Sequence, residues 1–346
     1  MINLNLKRAS LLLLIIISTL STVGCINPIG EEKANNKKML QNPKLAEAFK
    51  AVVGGSTCET GGDGNSTGAV AYTGTFPNGP GAYDATLTLA NLARNVHVYI
   101  PNNRPAHPYL LIAFHSTAEG TDLRQGESMA WNFKQIADDH GMIIAAPEAR
   151  VQPIPDWDQH VPGQKYWETR FATDPIRGCD VNRNPDLLLA RAIIQEAKKV
   201  YNVDPKRIYL VGFSNGGFFS LHAAVALRDQ VAAFIEMSSG LVNCENTNNC
   251  VWGSEGSTCA QLKSEQGYCA CNGSEKPIKI PTTGRMPPAY ITHGNADWTV
   301  SVVYSCDLAT RLQALGHSAT VNIRSVEYRD HDIPDPASSS FYADIW

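Results

Sequence analysis

Nowhere in the 346 residues is there a block of lysines and arginines able to neutralise a phosphate backbone; 29 basic and 33 acidic side chains leave a formal charge of −4. That argues against a nucleic-acid partner. A bilayer-spanning run is missing too, because the most apolar stretch, Ala9 to Leu20, falls short of the roughly 20 residues a transmembrane helix needs. The nine cysteines do not form the two closely spaced pairs of a compact zinc site, and Cys269 and Cys271 have one residue between them. Nor is a calcium loop complete. Asp180, Asn182, Asn184 and Asp186 alternate as its ligands would, but Pro185 stands at the turn-glycine position and Arg191 at that of the terminal Glu. The sequence therefore calls for no metal and no organic cofactor, and it leaves the oligomeric state open.

What is present begins with an export signal. Lys7 and Arg8 precede the apolar run Leu11 to Ile17, and Leu20-Ser21-Thr22-Val23-Gly24-Cys25 resembles the end of a bacterial lipoprotein signal. Thr22 departs from that pattern, which usually has an aliphatic residue there. The resemblance implies removal of 1–24 and a lipid on Cys25, tethering the protein to a cell-envelope membrane; ordinary cleavage to a secreted form, or a retained anchor, are the alternatives. Residues 25–50 form a polar tether, and 51–346 the folded domain. Besides Cys25 there are eight cysteines, at 58, 179, 244, 250, 259, 269, 271 and 306. An even set in an exported chain points to four disulfides, with the pairing open.

From residue 85 onward, short apolar runs alternate with longer mixed segments. Strands are expected over Ala85 to Ala93, Asn95 to Ile100, Tyr109 to His115, Met142 to Pro147, Arg207 to Gly212, Ala232 to Met237, Ala289 to His293 and Thr320 to Tyr328. Helices are expected over Met129 to His140, Asp186 to Tyr201, Gly217 to Leu227 and Val303 to Leu315. This order gives an α/β fold with a mostly parallel central sheet flanked by helices. Asn184 is placed to cap the second helix, with Pro185 at its first position and Asp186 at the positive end of its dipole. At 241–285 the periodicity disappears and five cysteines gather, the pattern of a disulfide-rich insertion, either over the mouth of a site or as a surface excursion.

The chemistry-bearing motif is Gly212-Phe213-Ser214-Asn215-Gly216, lying between a strand and a helix. In that context GxSxG is a nucleophile elbow, a sharp turn presenting the serine oxygen above the sheet. Ser214 is the candidate nucleophile, and the backbone N–H of Asn215 a candidate oxyanion donor. Asp297 and His331 follow at the ends of later strands, in the order acid then base. Asp330 and Asp332 flank that histidine, and Glu236 is the alternative third member. His293 competes as base, although a loop-positioning role beside Asp297 suits it better. His115 ends an earlier strand and is a candidate orienter of the oxyanion loop, with Ser116 or Thr117 supplying the second backbone donor. Trp298, Trp167 and Trp252 are candidate substrate contacts, with packing as their alternative role.

The segments YLLIAFH at 109–115, YNVDPKRIYLVGFSNGG at 201–217 and HGNADWTV at 293–300 are similar to the polyhydroxybutyrate depolymerase and feruloyl esterase branch of the α/β hydrolases. The resemblance implies a Ser214-Asp297-His331 triad, an oxyanion loop after His115 and hydrolysis of a carboxylic ester, in the first place a feruloyl or related plant-polysaccharide ester. Polyhydroxybutyrate-type polyesters and acetylxylan are the alternative substrates, and the partner is then an ester substrate, including polymeric ones. Two positions depart from the family: Ser116 replaces a glycine, and His331 lacks the preceding glycine and following tryptophan. Outside esterases, a serine peptidase or amidase and a non-catalytic binding protein remain as different classes.

Overall fold

In a computed structural model of the chain, the described residues are 69–118, 124–151, 164–169, 184–241, 259, 261, 280–281, 284–295, 297, 299–324 and 331–333. Ten strands occur among them: β1 (Gly81–Leu89), β2 (Leu92–Ile100), β3 (Leu110–Phe114), β4 (Ile143–Pro147), β5 (Arg150–Val151), β6 (Lys165–Tyr166), β7 (Ile208–Phe213), β8 (Ala233–Met237), β9 (Ala289–Gly294) and β10 (Ala319–Arg324). The helices are α1 (Gln125–Asn132), α2 (Lys134–His140), α3 (Pro185–Tyr201), α4 (Asn215–Ala226) and α5 (Val303–Ala314). Eight strands make one sheet in the order β1-β2-β4-β3-β7-β8-β9-β10, while β5 and β6 pair separately. From β4 to β10 every pairing is parallel; β1 and β2 join antiparallel at one edge.

Period-two alternation divides the core between the two faces of the sheet. Leu110, Ile112 and Phe114 of β3 join one apolar cluster with α3, α4 and α5, whereas Leu111 and Ala113 join the other with α1 and α2. This explains why the central strands read as continuous apolar runs. The expected cap of α3 is in place: Asn184 Oδ1 accepts from the backbone N–H groups of Asp186 and Leu187, at 2.9 and 3.1 Å. Asp186 is buried and also pairs with Arg94 at 2.7 Å.

Two elements differ from expectation. The single helix expected over Met129 to His140 is two, α1 and α2, broken at Phe133 (φ −111°, ψ 5°). The break lets Phe133 join Met129, Ala130, Ile136 and Ala137 in one buried cluster against the sheet. The strand expected over Ala85 to Ala93 is instead split by a hairpin turn at Ala90 and Asn91, both with positive φ. Such a two-residue turn matches the twist of the flanking strands. It lacks its usual glycine here and so leaves no signal in the sequence.

The export signal, Cys25, the polar tether and most of the 241–285 interval lie outside the described residues, as do Asp180 to Arg183. Among the described residues there is one disulfide, Cys259–Cys306. That bond does not close within the 241–285 interval but ties Cys259 to α5; the other cysteines of the expected disulfide-rich insertion lie outside the described residues.

Candidate active site

Ser214 joins β7 to α4 with φ 54° and ψ −122°, a conformation that non-glycine residues rarely adopt and that is typical of strained functional turns. Its backbone N–H donates to the Met237 carbonyl at 2.9 Å, tying the turn to β8. The flanking glycines are demanded by close approach: a Cβ on Gly212 would lie 1.9 Å from the Gly216 oxygen, and one on Gly216 would lie 2.2 Å from the Phe114 oxygen and 2.4 Å from that of His115. Strand β3 and the start of α4 can therefore touch only if position 216 has no side chain.

His115 follows β3 and is buried. Its Nε2 accepts from the Ala149 backbone N–H at 2.9 Å, so in the neutral ring Nδ1 carries the proton and donates to the Ser116 carbonyl at 2.5 Å. Burial pushes its pKa down, outweighing the nearby Glu148, and keeps that neutral tautomer. Because the peptide is planar and trans, pinning the Ser116 carbonyl on His115 turns the Thr117 N–H to the opposite side. Glu148 braces the loop by accepting from the Gly126 N–H at 2.6 Å and from Lys165 Nζ at 3.3 Å.

The loops after β9 and β10 bring Asp297 and His331 together. Asp297 Oδ1 accepts from the backbone N–H groups of Thr299 and Val300, both at 2.8 Å. Its Oδ2 lies 2.7 Å from His331 Nδ1 and 3.2 Å from His293 Nε2. Burial alone would raise the carboxyl's pKa, but the hydrogen bonds from His293 and His331 outweigh it and hold Asp297 well below the ordinary carboxylate range. The His331 ring lies 4.8 Å from that of Phe213, the residue before Ser214, so the elbow and the Asp297–His331 pair meet at one end of the sheet. Glu236 does not join that pair. It is buried in β8, where it accepts from the Ser239 hydroxyl and lies 3.2 Å from Ser305 Oγ.

Trp167 is fully buried, so it presents no surface to a substrate. Its backbone N–H donates to Asn215 Oδ1 at 2.7 Å and its indole N–H to the His115 carbonyl at 2.8 Å. The ring stacks on Phe219 and meets Phe114 edge-on. Of the two roles open to it, Trp167 takes the packing one, bridging the elbow and the loop after β3. Trp298, Trp252 and Asp330 lie outside the described residues, and Asp332 is exposed. Ser305, Ser239, Glu148 and Lys165 were not singled out in the sequence, because a serine within a helix or a lysine in a two-residue strand leaves no local pattern.

Residues 89–270 match the family described as putative esterase. The chain belongs to that family. With the parallel sheet and the strand-turn-helix elbow, the esterase has the α/β-hydrolase fold. A bifunctional acetylxylan esterase/xylanase of Neocallimastix patriciarum is 28% identical to it over 145 residues, covering 42% of this chain and 18% of that protein. A probable acetylxylan esterase A of Aspergillus flavus is 23% identical over 206 residues, covering 59% of this chain and 61% of that protein. The chain thus spans less than two thirds of either relative. Among solved structures, a putative dipeptidyl aminopeptidase IV from Bacteroides ovatus aligns with a TM-score of 0.51 at 12% identity, covering 77% of this chain and 35% of that one, a likeness of fold alone.

Proposed function

We propose that this chain is a serine carboxylic-ester hydrolase that removes acetyl groups from an acetylated xylan-like polysaccharide. The observation that carries the chemistry is the 2.7 Å pairing of His331 Nδ1 with Asp297 Oδ2 beside the strained Ser214. With Nδ1–H directed at Asp297, His331 keeps Nε2 as its basic nitrogen. It takes the Ser214 proton as the serine oxygen attacks the ester carbonyl, and the oxyanion is met by the backbone N–H groups of Asn215 and Thr117. His331 then protonates the sugar oxygen as its bond to the acyl carbon breaks, activates water against the acyl-serine and returns the proton to Ser214. The ionised Asp297 stabilises the imidazolium formed in each half. The choice of acetyl over feruloyl esters rests on the relatives, which are named as acetylxylan esterases. Lipidation of Cys25 completes the reading by placing the enzyme on a cell-envelope membrane; mass spectrometry finding Cys25 unmodified, or a later N-terminus, removes that part.

A matched panel of acetylated xylan, methyl ferulate and short hydroxybutyrate oligomers tests the substrate, with Ser214→Ala as background. Acetate release that disappears in Ser214→Ala is the expected result. Preference for methyl ferulate or the oligomers transfers the assignment to that ester, and failure on all three overturns it. Fluorophosphonate labelling of Ser214 separates an enzyme from a binding protein, and faster turnover of matched amides would make it an amidase.

A further inference from the structure

Beneath Asp297 lies a set of buried polar groups that the two acyl-transfer steps do not use: Glu236, Ser239, His293 and Ser305, none of them exposed. His293 Nε2 faces the Val300 carbonyl at 2.9 Å and Asp297 Oδ2 at 3.2 Å. Both are acceptors, so Nε2 carries a proton. On the far side of the ring, Nδ1 is 2.7 Å from Ser305 Oγ, which is 2.9 Å from the Ser239 carbonyl and 3.2 Å from Glu236 Oε2. The other Glu236 oxygen accepts from the Ser239 hydroxyl.

We propose that Glu236, Ser305 and His293 form a buried positioning relay that holds Asp297, and through it His331, with one proton shared between Glu236 and His293. The inference rests on the ester-hydrolase reading. In one arrangement the shared proton is on Glu236, which donates to Ser305 Oγ, while the single Ser305 hydroxyl hydrogen turns from the Ser239 carbonyl at 2.9 Å to the closer His293 Nδ1 at 2.7 Å. In the other it is on His293, and both hydrogen bonds reverse. The pair is neutral overall in either case, and Nε2–H stays on Asp297. Neutrality is what a fully buried site requires, since an unpaired charge there is costly. Burial is the main influence on Glu236 and raises its pKa, partly offset by His293, which favours the first arrangement. The charged or titratable groups facing the relay are Asp297, at His293 Nε2, and behind it His331. Asp297 Oδ2 thus has donors on two sides and Oδ1 has two backbone donors, so the carboxylate cannot rotate away from His331.

The test combines kinetics with stability. In His293→Leu, Asp297 loses one donor, its charge concentrates on His331, and the acid limb of kcat/KM moves to higher pH by about half a unit; kcat falls about tenfold with KM within about twofold. Ser305→Ala, which removes only one hydroxyl, moves the limb the same way. Glu236→Gln keeps a neutral donor toward Ser305, so its acid limb is displaced less than that of Ser305→Ala. A separate readout needs no substrate. A Glu that keeps its proton on folding stabilises the protein fully below the unfolded value of about 4.3, and that contribution is lost as pH rises toward the folded value. The thermal midpoint of the wild type therefore declines relative to Glu236→Gln across that range. Parallel midpoints overturn the shared proton, and unmoved acid limbs in folded His293→Leu and Ser305→Ala overturn the relay. Because the stability arm is independent of turnover, it still tests the proton if Ser214→Ala keeps full activity, the result that sinks the ester-hydrolase reading itself.

Discussion

On the Ser214 side of the site, five consecutive residues carry the geometry, whereas on the Asp297 side the same task is spread over β8, β9, α5 and the loops after β9 and β10. Gly212 and Gly216 let backbone meet backbone around Ser214, so that side depends on absent side chains. The Asp297 side depends on side chains that are present, buried and hydrogen-bonded, with Ser305 and Glu236 standing 69 residues apart in the sequence. Close packing gives a nearly all-or-none turn, while a hydrogen-bonded network can be weakened one member at a time.

The largest break in activity is expected from Asp297→Asn. The Asn amide can present an N–H to His331 Nδ1, which forces the proton onto Nε2 and removes the base, so kcat should fall about 10⁴-fold. Stability should respond in the opposite pH direction to that of Glu236. The pKa of Asp297 is depressed in the fold, so its ionised form stabilises the protein above the unfolded value of about 3.9, and this is lost as pH falls through the folded value. Thermal midpoints should therefore drop on acidification in the wild type and drop less in Asp297→Asn. Equal acid sensitivity in the two proteins would show that the carboxylate is not held as its hydrogen bonds indicate.

This contrast also explains what could be read from the chain. The elbow was legible because its requirements are local: a strand, two glycines around a serine and a helix follow one another. The central strands and α3 were legible for the same reason, through apolar runs and the Asn184-Pro185 cap. The turn at Ala90-Asn91 was not, since neither residue is the glycine that usually marks positive φ. Phe133 sits in an apolar pattern that continues through the helix break, so periodicity alone merges α1 with α2. Ser305 acquires its place only when α5 packs against β8 and β9. Trp167 was legible as an aromatic residue near the site, but which side of the backbone it occupies is decided by tertiary packing.

Gly216→Ala probes the elbow side through stability. The new methyl would press on the Phe114 and His115 carbonyl oxygens, which the central sheet prevents from retreating. Overpacking of this kind costs about 1–3 kcal/mol, to be read as a lower urea midpoint at unchanged slope. A variant of wild-type stability would mean that the contact between β3 and α4 is soft, and the contrast between the two sides would lose its physical basis.

The smallest expected effect comes from Trp167→Phe, and it sharpens the comparison because Trp167 belongs to both kinds of construction. The backbone N–H that donates to Asn215 survives the substitution, and Phe can still pack between Phe114 and Phe219. What disappears is the indole donor to the His115 carbonyl, and a buried acceptor left unpaired costs about 1 kcal/mol at the low end of its range. The His115 backbone leads directly into Ser116 and Thr117 in the loop after β3, so loosening it should lower kcat by a few fold and leave KM and the order of preference among esters unchanged. Trp167 is fully buried, and a bridging residue should affect all substrates alike. A changed preference at unchanged stability would instead return Trp167 to the substrate pocket, with the loop after β3 opening to admit it.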